Sequence, residues 1–560
     1  MYIREKIESN LKNAIKLGVE AAIASGDFEL EALPEIQLEI PREKEHGDYS
    51  TNIAMQLPRL TKKAPRYIAE SIQKHIKTEG IGVEAVELAG PGFMNFKLDP
   101  SWHYEVLKEI ENRGTDYGKT QKNEGKTYNL EFVSANPTGP MHMGNARGGA
   151  IGDILAEIAH WTGYVVTREF YVNDAGNQIV KFGDSLDGRF RQILGEDFPF
   201  PEDGYQGADI TIHMEEYIDQ EGVEASKALM ALPEEERKKI LVDYALEKNL
   251  KNMHRDMSRY GVDYDVWFSE KSLYENKEVE AALALLKEKD AIFEEDGAIW
   301  FKTTKFGCEK DDVLVRNNGI PTYFLGDIAY HLNKLITRKF SRSVNIWGAD
   351  HHGHIARLKA AMEAVGLDPE ALQVVTMQLV RLVKEGKQVR MSKRKGETIS
   401  LSDLLDMVGV DAARVFFNLR SPDSHFDFDL DLALEESSDN PVFYIQYAHA
   451  RICSILRQMD EERQGEADYG LLVAKEEMEL MEILSDLPGV LIMAEEKMDP
   501  SQITHYAQSL ASAFHSFYNA CRVRIDDEDL MRARLGLIVA TRQVLKNVLG
   551  ILGVDAPDAM

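Results

Sequence analysis

The stretch VSANPTGPMHMGNARGG, residues 133–149, lies between two segments with regular hydrophobic spacing. Before it, TYNLEFV alternates between two faces, which is typical of a β-strand. After it, Ile151, Leu155 and Ile158 recur at helical spacing until Gly163, and YVVTREFYV then predicts a second strand. The quoted stretch is therefore predicted to be the first βα turn of a βαβ unit, a place where open parallel sheets bind ligands.

The composition of this turn favours a nucleotide site. Pro137 and Pro140 prevent regular strand pairing, and four glycines allow the backbone and helix to approach a ligand closely. His142 lies at the predicted start of the helix, where free N–H groups and the helix dipole favour phosphate. The alternative is a tight structural turn in which the histidine is incidental.

A second stretch, GKQVRMSKRKGETISL at residues 386–401, is a basic loop flanked by glycines after the apolar run VVTMQLVRLV. Taken alone, such a loop is typical of a solvated surface. Together, the two stretches resemble the signature motifs of class I aminoacyl-tRNA synthetases, in the order found in that family. Asn145 stands where the family has its second histidine, and Arg390 replaces the first lysine of the loop.

The resemblance implies ATP, accompanied by Mg²⁺, as a substrate. It implies catalytic roles for donors that neutralise charge on the phosphoryl oxygens, namely His142, Asn145, Lys393 and Lys395. The residues that it implies for ATP binding are His142, Gly144, Asn145, Met391, Ser392 and Lys393. We expect no tightly bound cofactor, no metal ligands and no zinc.

Further motifs resemble the arginyl-tRNA synthetases within this class, among them REFYVNDAGNQI, GIPTYFLGDIAYHLNKL, IWGADHHGHIARLKAAMEA and DAARVFFNLR. A guanidinium needs carboxylates and carbonyls in fixed geometry. Asp327 follows Tyr323 by four residues, so a helix would present both on one side. The resemblance implies that these two hold the guanidinium, while Glu131 and Asn136 orient the substrate. The full set implied for arginine binding is Glu131, Ser134, Asn136, Tyr323, Asp327 and His351.

The segment GADHHGH also permits a different interpretation. Asp350, His351, His352 and His354 could ligate a divalent metal, as in a metal-dependent hydrolase. Consecutive histidines on one strand point to opposite faces, which argues against a shared ion unless the segment is a loop. The resemblance instead places His351 near substrate or nucleotide.

The domain organisation predicted from these patterns has three parts. Residues 1–118 form an N-terminal α+β module, residues 119–435 a Rossmann-type parallel-sheet catalytic domain, and residues 436–560 an all-α anticodon-binding domain. An acidic, helix-rich insertion is predicted at about residues 185–290. By resemblance, the N-terminal module contacts the elbow of the tRNA and the C-terminal helices hold the anticodon. Unstacked bases can stack on aromatic side chains, so Tyr444, Tyr447 and Tyr518 are candidates for tRNA binding.

The length, composition and net charge of the chain restrict its function less closely than the motifs do. The chain has 560 residues, is 44% hydrophobic and carries a formal net charge of −29. Residues 441–560 contain 11 Lys/Arg and 19 Asp/Glu, so the anticodon function is not evident from charge. Three widely spaced cysteines match no disulfide or zinc pattern. We expect a cytoplasmic monomer, without a membrane partner, that acts on L-arginine, ATP and tRNA(Arg).

The implied reaction has two steps: formation of arginyl-adenylate from arginine and ATP, then transfer of the arginyl group to the 3′ end of tRNA(Arg). The resemblance also implies that bound tRNA is needed for efficient adenylate formation. The same motifs are compatible with two other functions. One is a tRNA-independent nucleotidyltransferase or ligase of the same superfamily, and the other is a non-catalytic binding protein on a synthetase scaffold.

Overall fold

The computed structural model describes residues 2–41, 43–349, 352–389, 399–459 and 466–560. Among these residues the chain forms twenty α-helices and four β-sheets. A small α+β module, a larger α/β region and a bundle of helices follow one another along the chain. This order agrees with the predicted fold class.

The N-terminal module combines a three-stranded antiparallel sheet, in the order β1-β3-β2, with several helices. Its elements are α1 (Ile3–Ala24), β1 (Tyr49–Thr51), α2 (Ile53–Gln56), α3 (Pro58–Thr61), α4 (Pro65–His75), β2 (Val83–Ala89), β3 (Phe93–Leu98) and α5 (Ser101–Arg113). Helix α1 packs on α4 and buries Ile7, Leu11, Ile15 and Val19. Their spacing of four residues places all of them on one face of the helix.

The α/β region is built on five parallel strands in the order β11-β10-β4-β5-β6. Its first elements are β4 (Thr127–Glu131), α6 (Met143–Trp161), β5 (Val165–Val172), α7 (Asn177–Ile193), α8 (Ala208–Glu221), α9 (Val223–Met230), α10 (Glu234–Arg259) and β6 (Val266–Ser269). They are followed by α11 (Glu270–Glu275), α12 (Glu278–Glu288), β7 (Ile292–Glu295), β8 (Ala298–Phe301), β9 (Asp312–Val315), α13 (Tyr323–Leu332), β10 (Arg342–Gly348), α14 (His352–Ala364) and β11 (Leu372–Met377).

Strand β4 lies at the centre of this sheet and begins the predicted βαβ unit. It continues through α6 into β5, which pairs with it in parallel, so the prediction is confirmed. Both faces of β4 are buried from Tyr128 to Glu131, as expected for a parallel strand covered on both sides. The polar residues of the strand, Asn129 and Glu131, therefore need partners inside the protein.

The helical insertion lies between β5 and β6. Helices α7 to α10 fill this interval, and α7, α8 and α10 enclose a small core of their own that includes Phe182, Met214 and Leu241. The range predicted for the insertion, about 185–290, also contains β6, which is a strand of the main sheet. The helical part therefore ends at Arg259. A four-residue strand between two helices is too short to show a periodicity.

The chain leaves the main sheet through a second small sheet, with the order β13-β12-β14. Its elements are β12 (Val380–Lys384), β13 (Lys387–Gln388), α15 (Leu401–Phe417), β14 (Phe426–Asp429) and α16 (Leu430–Ala433). Helix α15 is kinked at Gly409, where the backbone angles are φ 79° and ψ 168°. That combination is essentially restricted to glycine.

The C-terminal part of the chain is helical throughout its described residues. It consists of α17 (Pro441–Gln458), α18 (Lys475–Lys497), α19 (Ser501–Ala520) and α20 (Glu528–Leu552). Among the described residues, α20 is the one helix long and apolar enough to cross a membrane, but 67% of its apolar window is buried in the protein. It packs against α17, α19 and α5 and is the core helix of the bundle.

Candidate active site

The turn between β4 and α6 departs from regular backbone geometry directly after the strand. Val133 and Ser134 have φ angles of 67° and 41°. A β-branched residue such as valine adopts positive φ only where its surroundings enforce it, and such strain concentrates at functional sites. The chain then reaches α6, whose first residue is Met143 and whose N-cap is His142. The sequence-based placement of His142 at a helix N-terminus is confirmed.

Three residues of the motif organise this helix start. Nδ1 of His142 accepts a hydrogen bond of 3.1 Å from the backbone N–H of Gly144, and the Asn145 side-chain oxygen accepts one of 3.0 Å from the His142 N–H. This reciprocal arrangement is a capping box. Because Nδ1 accepts, the ring proton lies on Nε2, which is then a donor. A Cβ on Gly144 would lie 3.0 Å from the His142 ring, so glycine leaves room for this orientation.

The backbone on the C-terminal side of the basic loop pairs with this turn. Met143 N–H donates to the Ile399 carbonyl at 3.2 Å, and Leu401 N–H donates to the Met141 carbonyl at 2.9 Å. The predicted ATP-binding and catalytic residues of the loop itself lie outside the described residues; they are Met391, Ser392, Lys393 and Lys395. The residues that connect the loop to α15 are nevertheless hydrogen-bonded to the segment around His142.

A cavity of about 630 Å³ opens beside the C-terminal end of β4. Its wall contains three of the residues predicted to bind arginine, Glu131, Tyr323 and Asp327. The remaining lining residues are Tyr171, Tyr330, His331, Trp347, Gly353, His354 and Arg357. Tyr323 and Asp327 are one turn apart on α13 and both face the cavity, as their spacing predicts.

The other residues predicted to bind arginine have different positions. The Ser134 hydroxyl donates to Glu131 Oε1 at 3.0 Å and accepts from the Tyr171 N–H at 3.1 Å, so it holds the carboxylate. The side-chain amides of Asn136 and Asn173 are in contact at 3.3 Å. His351 lies outside the described residues.

Glu131 already has a cationic partner. Lys334 Nζ lies 2.8 Å from Glu131 Oε2 and 3.1 Å from Asn345 Oδ1, and the Lys334 side chain is fully buried. Lys334 lies in a π-helical turn, Asn333–Thr337, that follows α13. Sequence reasoning missed this residue, although a lysine within the apolar run AYHLNKLI is an available signal.

Asp327 has a histidine as its partner. His354 Nε2 lies 2.7 Å from Asp327 Oδ2, and the Arg357 Nε–H donates to His354 Nδ1 at 2.7 Å. With Nδ1 accepting, the His354 proton lies on Nε2 and is donated to the carboxylate. His354 thus uses both ring nitrogens, which argues against the metal-ligand interpretation of GADHHGH. In that segment Asp350 and His351 lie outside the described residues.

Glu270 is a further carboxylate beside the cavity that sequence reasoning missed. It is 3% exposed, receives hydrogen bonds from Tyr171 and from the Asn173 amide, and begins α11 directly after β6. Burial, together with the nearby carboxylates of Asp327 and Asp174, raises the pKa of Glu270 to about 7. A cation bound here would favour its ionised form. No motif marks Glu270, because it lies in the acidic sequence assigned to the insertion.

The three tyrosines predicted to bind tRNA lie on α17 and α19. The Tyr447 and Tyr518 hydroxyls both accept hydrogen bonds from Arg451, at 2.6 and 2.9 Å, and the guanidinium lies 4.4 Å from the Tyr518 ring. Tyr444 is in contact with His515, with 4.9 Å between the ring centroids. All three tyrosines are half-buried, so each keeps part of its surface in solvent.

Three family models match successive parts of the chain. They are described as "Arginyl tRNA synthetase N terminal domain" for residues 2–98, "tRNA synthetases class I (R), catalytic domain" for 107–428 and "DALR anticodon binding domain" for 445–560. The chain belongs to the arginyl-tRNA synthetase family. It is 52% identical to the arginine–tRNA ligase of Caldanaerobacter subterraneus subsp. tengcongensis over the whole of both chains. It is 51% identical to that of Acetivibrio thermocellus over 99% of each.

Solved structures of arginyl-tRNA synthetases share the fold. A putative arginyl-tRNA synthetase from Campylobacter jejuni is 34% identical with a TM-score of 0.74, and the match covers 83% of this chain and all of the other. The Thermus thermophilus arginyl-tRNA synthetase is 22% identical with a TM-score of 0.75, over 98% of this chain and all of the other. The chain is thus a class I aminoacyl-tRNA synthetase that uses ATP, generally with Mg²⁺, to join arginine to tRNA(Arg).

Proposed function

We propose that the cavity beside β4 binds the arginine substrate, with its guanidinium against Asp327, Glu270 and Tyr323. The observation that carries this proposal is the distribution of charge. Glu131 is neutralised by Lys334, whereas Glu270 is surrounded by carboxylates and tyrosines and has its pKa raised to about 7. A planar cation with five donors relieves that repulsion and satisfies several acceptors at once. Glu131, Ser134, Asn136 and His351 then orient the rest of the substrate.

We further propose that ATP binds along the turn from His142 to Asn145. The His142 Nε2 proton is the donor for phosphate, and the dipole at the N-terminus of α6 favours the negative charge. Gly144 leaves space for the nucleotide, and the proposed ATP-binding set also includes Met391, Ser392 and Lys393 of the basic loop. The pairing of Ile399 and Leu401 with residues 141–143 supports this, because it ties the end of that loop to the His142 turn.

In the first step, a carboxylate oxygen of arginine attacks the α-phosphorus of ATP. A new P–O bond forms, the bond to pyrophosphate breaks, and arginyl-adenylate results. In the second step, a hydroxyl of the terminal adenosine of tRNA attacks the arginyl carbonyl and AMP leaves. No enzyme nucleophile is needed: His142, Asn145, Lys393 and Lys395 align the reactants and stabilise charge on the phosphoryl oxygens.

We propose that tRNA(Arg) contacts both ends of the chain. Residues 58–77 of the N-terminal module carry six exposed Lys/Arg and one Glu, a local positive surface on an acidic protein. Such a patch suits the sugar–phosphate backbone at the elbow. At the other end, Tyr444, Tyr447 and Tyr518 provide stacking surfaces for anticodon bases, with Arg451 between two of them.

The remaining assignments belong to the same proposal. The three domains cover residues 1–118, 119–435 and 436–560, with α7 to α10 as the insertion. The enzyme works as a monomer in the cytoplasm, requires no zinc, and is activated by bound tRNA before adenylate formation. Activation by tRNA is supported by the position of the catalytic region between two tRNA-contacting modules.

Citrulline provides the sharpest test of the arginine site, because it has nearly the shape of arginine but carries a neutral urea group. Calorimetric titration should show arginine binding and citrulline binding weaker by at least about 100-fold, since a buried charged hydrogen bond is worth about 2 to 5 kcal/mol. Lysine, which is charged but not planar, should also bind weakly. Similar affinities for arginine and citrulline would place the guanidinium away from Asp327 and Glu270.

A further inference from the structure

Helix α15 is attached at its start to the His142 turn between β4 and α6, which is called the nucleotide turn below. The chain enters it through Ile399 and Leu401, whose backbone groups pair with Met143 and Met141. Ser400 caps the helix and forms an isolated β-bridge with His142. The first half of α15 and the nucleotide turn are therefore held together by main-chain hydrogen bonds.

The second half of α15 carries Arg414, which connects four parts of the molecule. Its side chain is fully buried. Its Nε–H donates to the Leu552 carbonyl at the end of α20 at 2.7 Å, and one terminal nitrogen donates to the Tyr260 and Gly261 carbonyls, each at 3.2 Å. The other terminal nitrogen forms an ion pair with Asp153 of α6 at 2.5 Å. One guanidinium thus joins the C-terminal bundle to the helix that His142 caps.

Asp153 is the residue through which Arg414 contacts α6. It lies eleven residues after His142, which corresponds to about 16 Å along a helix. Arg168 of β5 donates to the second carboxylate oxygen of Asp153 at 3.1 Å, so the two arginines fix this side chain from two sides. Asp153 and the His142 cap thus belong to one continuous helix, along which a displacement at one end can reach the other.

The end of α20 leaves room for the guanidinium of Arg414. Gly553 follows the helix with φ 64°, and a Cβ at this position would overlap Arg414. Nearby, Asp411 of α15 accepts hydrogen bonds from the Asp555 N–H at 3.3 Å and from Gln446 of α17 at 2.7 Å. The contacts of Asp411 and Arg414 with the C-terminal bundle thus lie on the second half of α15, beyond the kink at Gly409.

We propose that Arg414 is a positioning residue that couples the docking of the C-terminal bundle to the geometry of the nucleotide turn. Gly409 divides α15 into a half fixed to the nucleotide turn and a half fixed to α20, and Arg414 connects the second half to α6. A displacement of α20 on tRNA binding then reaches His142 through Asp153. This inference rests on the proposed activation by tRNA, and it names the contact through which that activation passes.

The variant that tests this contact most directly is Gly553→Ala, because it displaces the Arg414 side chain without altering any charge. Gly195→Ala is the matched control: Gly195 also follows a helix, has φ 93°, and has no atom within 4 Å of an added Cβ. Arg414→Lys is a second, independent variant that keeps the positive charge and loses most of the shared hydrogen bonds. It carries the same test should Gly553→Ala fail to fold.

Two measurements are made on each full-length variant: hydrogen exchange of α6 residues 143–150 and arginine-dependent ATP–pyrophosphate exchange with and without tRNA(Arg). Gly553→Ala and Arg414→Lys should speed hydrogen exchange in α6 and reduce the stimulation by tRNA at least about tenfold, within the usual range of coupling between sites. The KM values for arginine and ATP without tRNA should change less than about twofold. A general loss of stability would not lower the stimulation by tRNA while leaving these KM values unchanged. Gly195→Ala should behave as the wild type.

The failure of this inference differs from the failure of tRNA activation itself. Full tRNA stimulation in both Arg414-directed variants would overturn the coupling and leave activation standing. If the wild type shows no stimulation, the activation proposal fails and hydrogen exchange decides the coupling: unchanged protection of α6 in both variants overturns it. Faster exchange confined to α6 in those variants would support the contact between α20 and α6.

Discussion

Lys334 Nζ lies 2.8 Å from Glu131 Oε2 beside the cavity at the end of β4, and both side chains are buried. Residues 203 positions apart in sequence thus form a buried charge pair. The pair neutralises the carboxylate nearest the nucleotide turn. The proposed binding of the substrate guanidinium therefore relies on Asp327 and Glu270.

Lys334→Met should be strongly destabilising, because it leaves Glu131 buried without its cation. Removal of one partner of a buried ion pair typically costs about 3 to 5 kcal/mol. The double variant Glu131→Gln/Lys334→Met should recover part of that loss, as measured by urea unfolding of the four proteins of the cycle. Strictly additive losses would mean that the two groups do not interact in solution.

Asp327→Asn should weaken arginine binding while leaving ATP binding nearly unchanged, because the substitution removes a charge at the guanidinium end only. The expected loss is about 2 to 5 kcal/mol of arginine affinity. Separate calorimetric titrations with arginine and ATP measure it. Asp296→Asn, in the exposed turn between β7 and β8, is the control and should have no effect. An unchanged arginine affinity in Asp327→Asn would move the specificity pocket elsewhere.

The affinity for arginine should depend on pH through Glu270. The pKa of this group is raised to about 7 in the empty site, and a bound guanidinium lowers it, so binding below pH 7 releases a proton. Affinity should therefore rise with pH, by at most about tenfold per unit, and level off above about pH 7. Glu270→Gln should flatten this part of the profile, and Glu275→Gln, exposed at the end of α11, should retain it. A profile unchanged in Glu270→Gln would assign the titration to another group.

The parts of this site that could be predicted from sequence are those defined over short distances along the chain. The βα turn was predictable because proline, glycine and histidine interrupt a strand and a helix within seventeen residues. Tyr323 and Asp327 were predictable as a pair because they are one helical turn apart. The C-terminal end of the basic loop meets the His142 turn, as expected if the two motifs serve one nucleotide site.

The site residues that the sequence did not indicate depend on contacts between residues that are far apart along the chain. The pKa of Glu270 is raised because the fold buries this group and places it, at the end of β6, near Asp327 and Asp174. Lys334 reaches Glu131 from a π-helical turn, a local change of helix type that hydrophobic spacing does not indicate. His354 was considered as a metal ligand because its partners, Asp327 and Arg357, are not apparent from the histidine-rich segment itself.

Lys393→Ala should reduce the rate of adenylate formation by about 100- to 1000-fold, the usual loss for one donor to the transition state. Arginine affinity should barely change, because the residue is assigned to phosphate. Single-turnover measurements in the presence of tRNA separate the chemical step from binding. Lys387→Ala, an exposed lysine of β13, is the control. Near-normal adenylate synthesis in Lys393→Ala would refute the assignment of the basic loop.

We propose that this cavity and the His142 turn together form an arginine-specific adenylating site that tRNA activates. Its most direct test is ATP–pyrophosphate exchange with each amino acid in turn, first without tRNA, then with tRNA(Arg), and then with the chain truncated before Asn440. We expect exchange with arginine and with no other amino acid, strong stimulation of that exchange by tRNA, and loss of the stimulation on truncation. A coupling of about 1 to 3 kcal/mol between sites is sufficient for such an effect. Exchange with another amino acid, or full exchange with arginine in the absence of tRNA, would contradict it.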